Sequence, residues 1–280
     1  MTPTPSLNPI TDLRQLVTFP FMVDALAAGT IVAVLAGVVG WYVVLRRQTF
    51  ASHTLSVMAF PGATGAALAG LPTSVGYYVA CTLAALFIGR SGSERRSDAG
   101  ESATIGTVQT AGLAAGFLFL SLNQSVLGGP ETLLFGTFLG ITPGQVLGLL
   151  LVALVSLAAV AALARPLLFA SIDREVARAA GVSVAALDIV FLLILGLAIA
   201  ATSQLTGALL VFALLVAPPA AAQQLTSRPA AGLALSVGFA LVVIWMALGI
   251  AYYTVYPVGF YVTTLAFVLY LAARLAGGRR

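Results

Sequence analysis

Residues 24–62 read DALAAGTIVAVLAGVVGWYVVLRRQTFASHTLSVMAFPG, and the fold follows from this stretch. Residues 24–45 form one apolar block long enough to cross a bilayer, for which roughly 20 residues are needed. The block stops at Arg46-Arg47, a basic pair that the positive-inside rule places in the cytoplasm. A second block begins near Ala51 and carries His53, the one histidine of the chain, and then Pro61. An ionisable residue inside a membrane is costly, which makes His53 a functional candidate. Two roles are open to it: a hydrogen bond to a neighbouring carbonyl close to water, or a place on a transport path.

The same pattern continues along all 280 residues. The chain is 60% hydrophobic and 8% charged, with a mean hydropathy of +1.06, a balance that excludes a soluble domain of this length. The expected fold class is all-α. We read a polytopic membrane protein with about eight or nine transmembrane helices, one of them short enough to be re-entrant. One transmembrane domain is expected over residues 24–280, after a proline-rich lead-in over residues 1–23 that lacks the basic start and cleavage site of a signal peptide. Cys81 is the only cysteine, so no disulfide can form within the chain. All thirteen basic residues are arginine. A phosphate-binding loop of the Walker type needs a lysine, so any ATP-driven work falls to a separate subunit. The net charge of +4 is modest and its arginines lie between apolar blocks, the pattern of cytoplasmic flanks rather than of a nucleic-acid surface.

Further spans are expected near residues 71–88, 104–122, 143–163, 184–203, 205–222, 230–251 and 257–275, with a polar loop over residues 90–101 and a short apolar segment over residues 131–141. Gly136, Gly140, Gly144 and Gly148 recur every fourth residue, a spacing that suits close helix packing or a pore-lining face. Residues 171–181 read SIDREVARAAG. Asp173 suits an N-cap, Val176, Ala179 and Ala180 offer a small apolar face, and Gly181 suits a stop. This segment is either a solvated loop or a helix on which a cytoplasmic partner docks. Pro218 and Pro219 deprive the carbonyls of Leu214 and Leu215 of helix donors, which predicts a break in that span and either a plain kink or a gate or hinge. Pro61 does the same to the carbonyl of Val57, one turn beyond His53. Asp188 reads as a pathway residue or, at lower cost, an interfacial carboxylate, and Glu131 as a helix start or a contact on the outer surface.

Five segments in order resemble the membrane permeases of bacterial zinc and manganese ABC importers, the ABC-3 group. LRR followed by SHTLSVMAFPG is similar to that family's arginine run and GDALSHAVLPG; ESATIG at 101–106 resembles EDTAIG; LLFGTFLGIT from 133 resembles LLFGSLL; SIDREVARAAG resembles FDEELARAAG; and TGALLVFALLVAPPAAA from 206 resembles VGVLLVSALLIIPAATA. The resemblance implies a multi-pass protein of the bacterial inner membrane that is itself no enzyme. It implies a homodimer, with cytoplasmic ATPase subunits that bind and hydrolyse ATP, an extracytoplasmic metal-binding protein that delivers the ion, and no nucleic acid. Asp173, Arg174, Glu175, Arg178, Ala179, Ala180 and Gly181 then form the coupling helix, with Arg174, Glu175 and Arg178 turned outward.

In the family, the second-span motif supplies an aspartate and, one turn later, a histidine. Here His53 holds the aspartate position and Val57 the histidine position, so one imidazole remains and the carboxylate is lost. Neutral imidazole suits zinc, copper, iron and nickel, while manganese favours the lost hard ligand. The expected cargo is a divalent metal, zinc ahead of manganese, iron or a metal chelate, with no permanently bound cofactor. His53 is the candidate path ligand, helped by the backbone carbonyl of Val57 or by the second copy's histidine, and Pro61, Pro218 and Pro219 are candidate gate or hinge positions. A stand-alone secondary transporter or channel is the competing class, which usually needs intramembrane carboxylates for coupling.

Overall fold

The computed structural model describes residues 18–94, 98–123, 140–254 and 256–277. All regular elements among them are helices: α1 Pro20–Leu45, α2 Thr49–Leu68, α3 Thr73–Glu94, α4 Asp98–Leu122, α5 Pro143–Ile172, α6 Arg174–Ala179, α7 Val184–Thr206, α8 Ala208–Leu225, α9 Pro229–Tyr252 and α10 Val258–Gly277. The protein is an all-α polytopic membrane protein, as the composition requires. Among the described residues six helices are long and apolar enough to cross a membrane. Helices α2 and α3 fall short of that measure because they carry glycine, serine and threonine, and α8 offers only the shorter apolar run Val211–Leu225. Most of the lead-in, Glu131, Gly136 and most of the LLFGTFLGIT segment lie outside the described residues.

Short linkers turn successive helices back on one another. Gly70 and Gly181 take the positive φ angles of helix stops, and Gly207 alone joins α7 to α8 with φ 78°. Arg47 does a glycine's work at φ 58°, where α1 hands over to α2. This alternation brings residues 46–48, α6, residues 226–228 and the end of α10 to one side, which is where the arginines between spans collect. Helix α1 lies in the middle of one group, packed on α5, α8 and α9, and α2 in the middle of another, packed on α3 and α4. Helix α8 also packs on α2 and so joins the groups.

Glycine decides where backbones touch. A Cβ on Gly62 would run into the Gly76 carbonyl, and one on Gly76 into the Gly62 carbonyl, so α2 and α3 cross main chain to main chain. On α4, Gly112 receives Met58 and Gly116 receives Phe60. The glycines picked out by their four-residue spacing behave otherwise. Among the described residues, Gly140, Gly144 and Gly148 are exposed and a Cβ on each would meet nothing within 4 Å. Within the described bundle no helix packs on this face, because spacing fixes a common face without saying what stands opposite. Gly62→Val should destabilise the detergent-solubilised protein by about 1–3 kcal/mol, read as a lower thermal midpoint. An unchanged midpoint would show that the crossing has slack.

Two expected boundaries move. The polar loop at residues 90–101 is largely helical, since α3 runs to Glu94 and α4 starts at Asp98. Helix α5 does not stop at Leu163 but continues through Pro166 to Ile172, so the expected coupling segment shortens to six helical residues. Leaving the hydrocarbon does not by itself end a helix. It ends where its hydrogen bonds find other partners, here at Asp173, whose side chain caps α6. At its other end α5 opens on a reciprocal capping box between Thr142 and Gln145.

Candidate functional site

His53 lies in the second turn of α2, near the arginine-bearing side. It is half-buried, its ring meets that of Phe212 on α8 edge to face with centroids 4.7 Å apart, and its buried Nδ1 has no hydrogen-bond partner. A buried nitrogen left unpaired is expensive, so the modest role of bonding a neighbouring carbonyl is not taken up at Nδ1. Gln48 Oε1, at the N-cap of the same helix, is likewise buried and unpartnered. The fully buried polar side chains of α2 are satisfied. Ser52 and Ser56 donate to backbone carbonyls, and Thr54 Oγ1 bonds Gln109 Oε1 of α4 at 2.9 Å. Cys81 Sγ of α3 stands 3.5 Å from the Leu55 carbonyl.

Val57 and Pro61 follow His53 at one-turn intervals, and both are buried. The helix continues through Pro61, with Thr64 Oγ1 donating to the Phe60 and Pro61 carbonyls. Among the described residues no cluster of three or more His, Cys, Asp or Glu side chains could hold a metal. What remains is one imidazole with a free nitrogen, suited to a passing ion rather than a resident one, since conduction needs ligands weak enough to let go.

Pro218 and Pro219 are buried inside α8, and the expected break is absent: the helix runs unbroken from Ala208 to Leu225. The neighbouring helix accounts for this. A Cβ on Gly40 of α1 would strike the Leu215 carbonyl and come within 2.9 Å of the Pro219 ring, so α1 lies directly against an oxygen that the prolines freed. The interruption falls instead at Gly207, one residue wide.

In the segment expected to dock a partner, Asp173 Oδ1 accepts from the amides of Glu175 and Val176 at 2.9 and 3.0 Å, and the Gly181 and Val182 amides close the far end on Arg178 and Ala177. The inward residue is Ala177, and Val176, Ala179 and Ala180 are exposed. The apolar face read from the sequence therefore faces away from the bundle. Glu175 and Arg178 point outward as expected. Arg174 does not do so fully, because its Nη2 bonds Asp188 Oδ2 on α7 at 2.5 Å.

Asp188 also pairs with Arg46, a contact that sequence reasoning missed although both residues were in view.

The description ABC 3 transport family fits residues 18–277. The chain belongs to the ABC 3 transport family. A relative in Yersinia pestis, the chelated iron transport system membrane protein YfeC, is 30% identical over 93% of this chain and 88% of its own. The manganese transport system membrane protein MntC of Halalkalibacterium halodurans is 28% identical over 81% of this chain and 77% of its own. The solved structure of PsaBC from Streptococcus pneumoniae in complex with Fab superposes with a TM-score of 0.82, covers 94% of each chain and is 23% identical, a likeness of fold. As an ABC 3 permease the protein is a transport component, multi-pass in the bacterial inner membrane.

Proposed function

We propose that this ABC 3 permease moves a divalent first-row transition metal inward by alternating access, as a homodimer powered by separate ATPase subunits and supplied by an extracytoplasmic metal-binding protein. The observation that carries the reading is the buried, unpartnered Nδ1 of His53 at the family's path-aspartate register. His53 offers that nitrogen to the passing ion, and the Val57 carbonyl, which Pro61 leaves without a donor, supplies an oxygen one turn on. Pro61, Pro218 and Pro219 mark where α2 and α8 bend at least cost, since no hydrogen bond need break there. Asp173 caps the docking helix, Glu175, Arg178, Ala179 and Ala180 meet the ATPase, and Gly181 ends the turn. The metal is cargo, ATP acts on the partner, and the permease needs no resident cofactor.

Imidazole without carboxylate favours zinc. Manganese or chelated iron is the second reading, supported by the names of the two relatives. Metal-stimulated ATP hydrolysis by the full assembly, compared across zinc, manganese and iron, separates them. Zinc is expected to give the strongest response, and manganese acting where zinc does nothing would reverse the choice.

A further inference from the structure

Arg46 closes α1 with a side chain only 2% exposed. Its Nη2 donates to Asp188 Oδ1 near the start of α7, and its Nη1 lies 3.4 Å from the Leu167 carbonyl and 3.5 Å from Ser171 Oγ, both late in α5. The guanidinium carbon stands 5.3 Å from the centroid of the Phe191 ring. Asp188 offers its second oxygen to Arg174 of α6. One carboxylate thus bridges two guanidiniums in different surroundings, since Arg174 is 51% exposed and Asp188 17%. The inner contact is held by a buried guanidinium. The outer one faces solvent and is screened, so it can yield and re-form cheaply.

Arg46 is three residues from the start of α2, and the turn between is stiff. The amides of Arg46, Arg47 and Gln48 bond back to Tyr42, Val44 and Val43, and that of Ser52 bonds Gln48, locking the entry of α2 to the end of α1. His53 follows directly. A shift of α6 therefore has a continuous route through charged contacts and a bonded turn to the path residue.

We propose that Arg174, Asp188 and Arg46 form the link that carries displacement of the docking helix to α2, with the Arg174–Asp188 contact as the part that strains and releases. These are positioning residues that touch neither metal nor ATP. The inference rests on the permease reading above. The bland account, in which Arg174 merely touches the ATPase, makes its effect independent of Asp188.

The test reads metal taken up per ATP hydrolysed, with zinc and manganese as probes, in proteoliposomes holding the full permease–ATPase assembly. Arg174→Gln and Asp188→Asn should each lower the ratio about tenfold, and the double variant should be no worse than Asp188→Asn alone, because both act on one link. Effects that multiply, or a native ratio in Arg174→Gln, overturn the proposal. Arg174→Lys keeps a cation for the single outer contact and should recover most of the ratio. A lysine variant as poor as glutamine overturns the proposal, and this comparison decides the matter if Asp188→Asn fails to assemble. Uptake by the native assembly without ATP would overturn the functional reading itself, and is measured first.

Discussion

Replacing His53 with alanine should lower metal uptake at least about tenfold, the lower end of what even an outer-shell partner is worth to a metal site, while the permease reaches the membrane at native levels. The ring packs edge to face on Phe212 and leaves Nδ1 unpaired, so its removal takes away that ring contact but no hydrogen bond made by that nitrogen. A buried ring nitrogen that no group of the fold engages is open to a ligand, and the proposed role rests on that opening. His53→Asp restores the hard ligand of the family register and should raise the manganese response relative to zinc. Uptake unchanged in His53→Ala at normal protein levels would remove His53 from the path.

The second large effect is on stability. Asp188→Ala leaves Arg46 charged, 2% exposed and without its carboxylate, and should cost about 3–5 kcal/mol, the range for breaking one side of a buried pair. Burial already draws the Arg46 guanidinium below its ordinary pKa range, against the opposing pull of Asp188. Removing both charges with Arg46→Met and Asp188→Leu should restore most of the thermal midpoint, because an apolar pair needs no solvation. The doubly substituted permease should still transport poorly, since the docking helix has lost its hold on the turn into α2. A thermal midpoint unmoved by Asp188→Ala would show that water reaches Arg46.

Much of this architecture was legible in the residues. Hydrophobic length and the arginines between spans are set by the bilayer, which imposes the same requirement on any sequence, so the helix succession could be read directly. The short helix at Arg174–Ala179 could be placed because Asp173 and Gly181 act locally, at its two ends. The orientation of that helix could not be read so easily: in six residues Ala177 rather than Val176 turned inward, a choice made by the helices beneath it. The break predicted at Pro218-Pro219 failed for a related reason. The freed carbonyl of Leu215 is covered by α1 at Gly40, and nothing in the α8 sequence announces its neighbour. Arg46 and Asp188 are 142 positions apart, and no periodicity joins them. The available signal was chemical: a lone carboxylate within a span, on the side where the arginines gather, calls for a partner. The open glycine face at Gly140, Gly144 and Gly148 carries the same lesson, since small residues show only where a close approach is allowed.

The most direct test of the account is metal uptake into proteoliposomes that hold the permease alone or with its ATPase, each with and without ATP and each with and without an ion gradient. Uptake that needs both the ATPase and ATP, and ignores the gradient, is the predicted result. Robust gradient-driven uptake by the permease alone would contradict it.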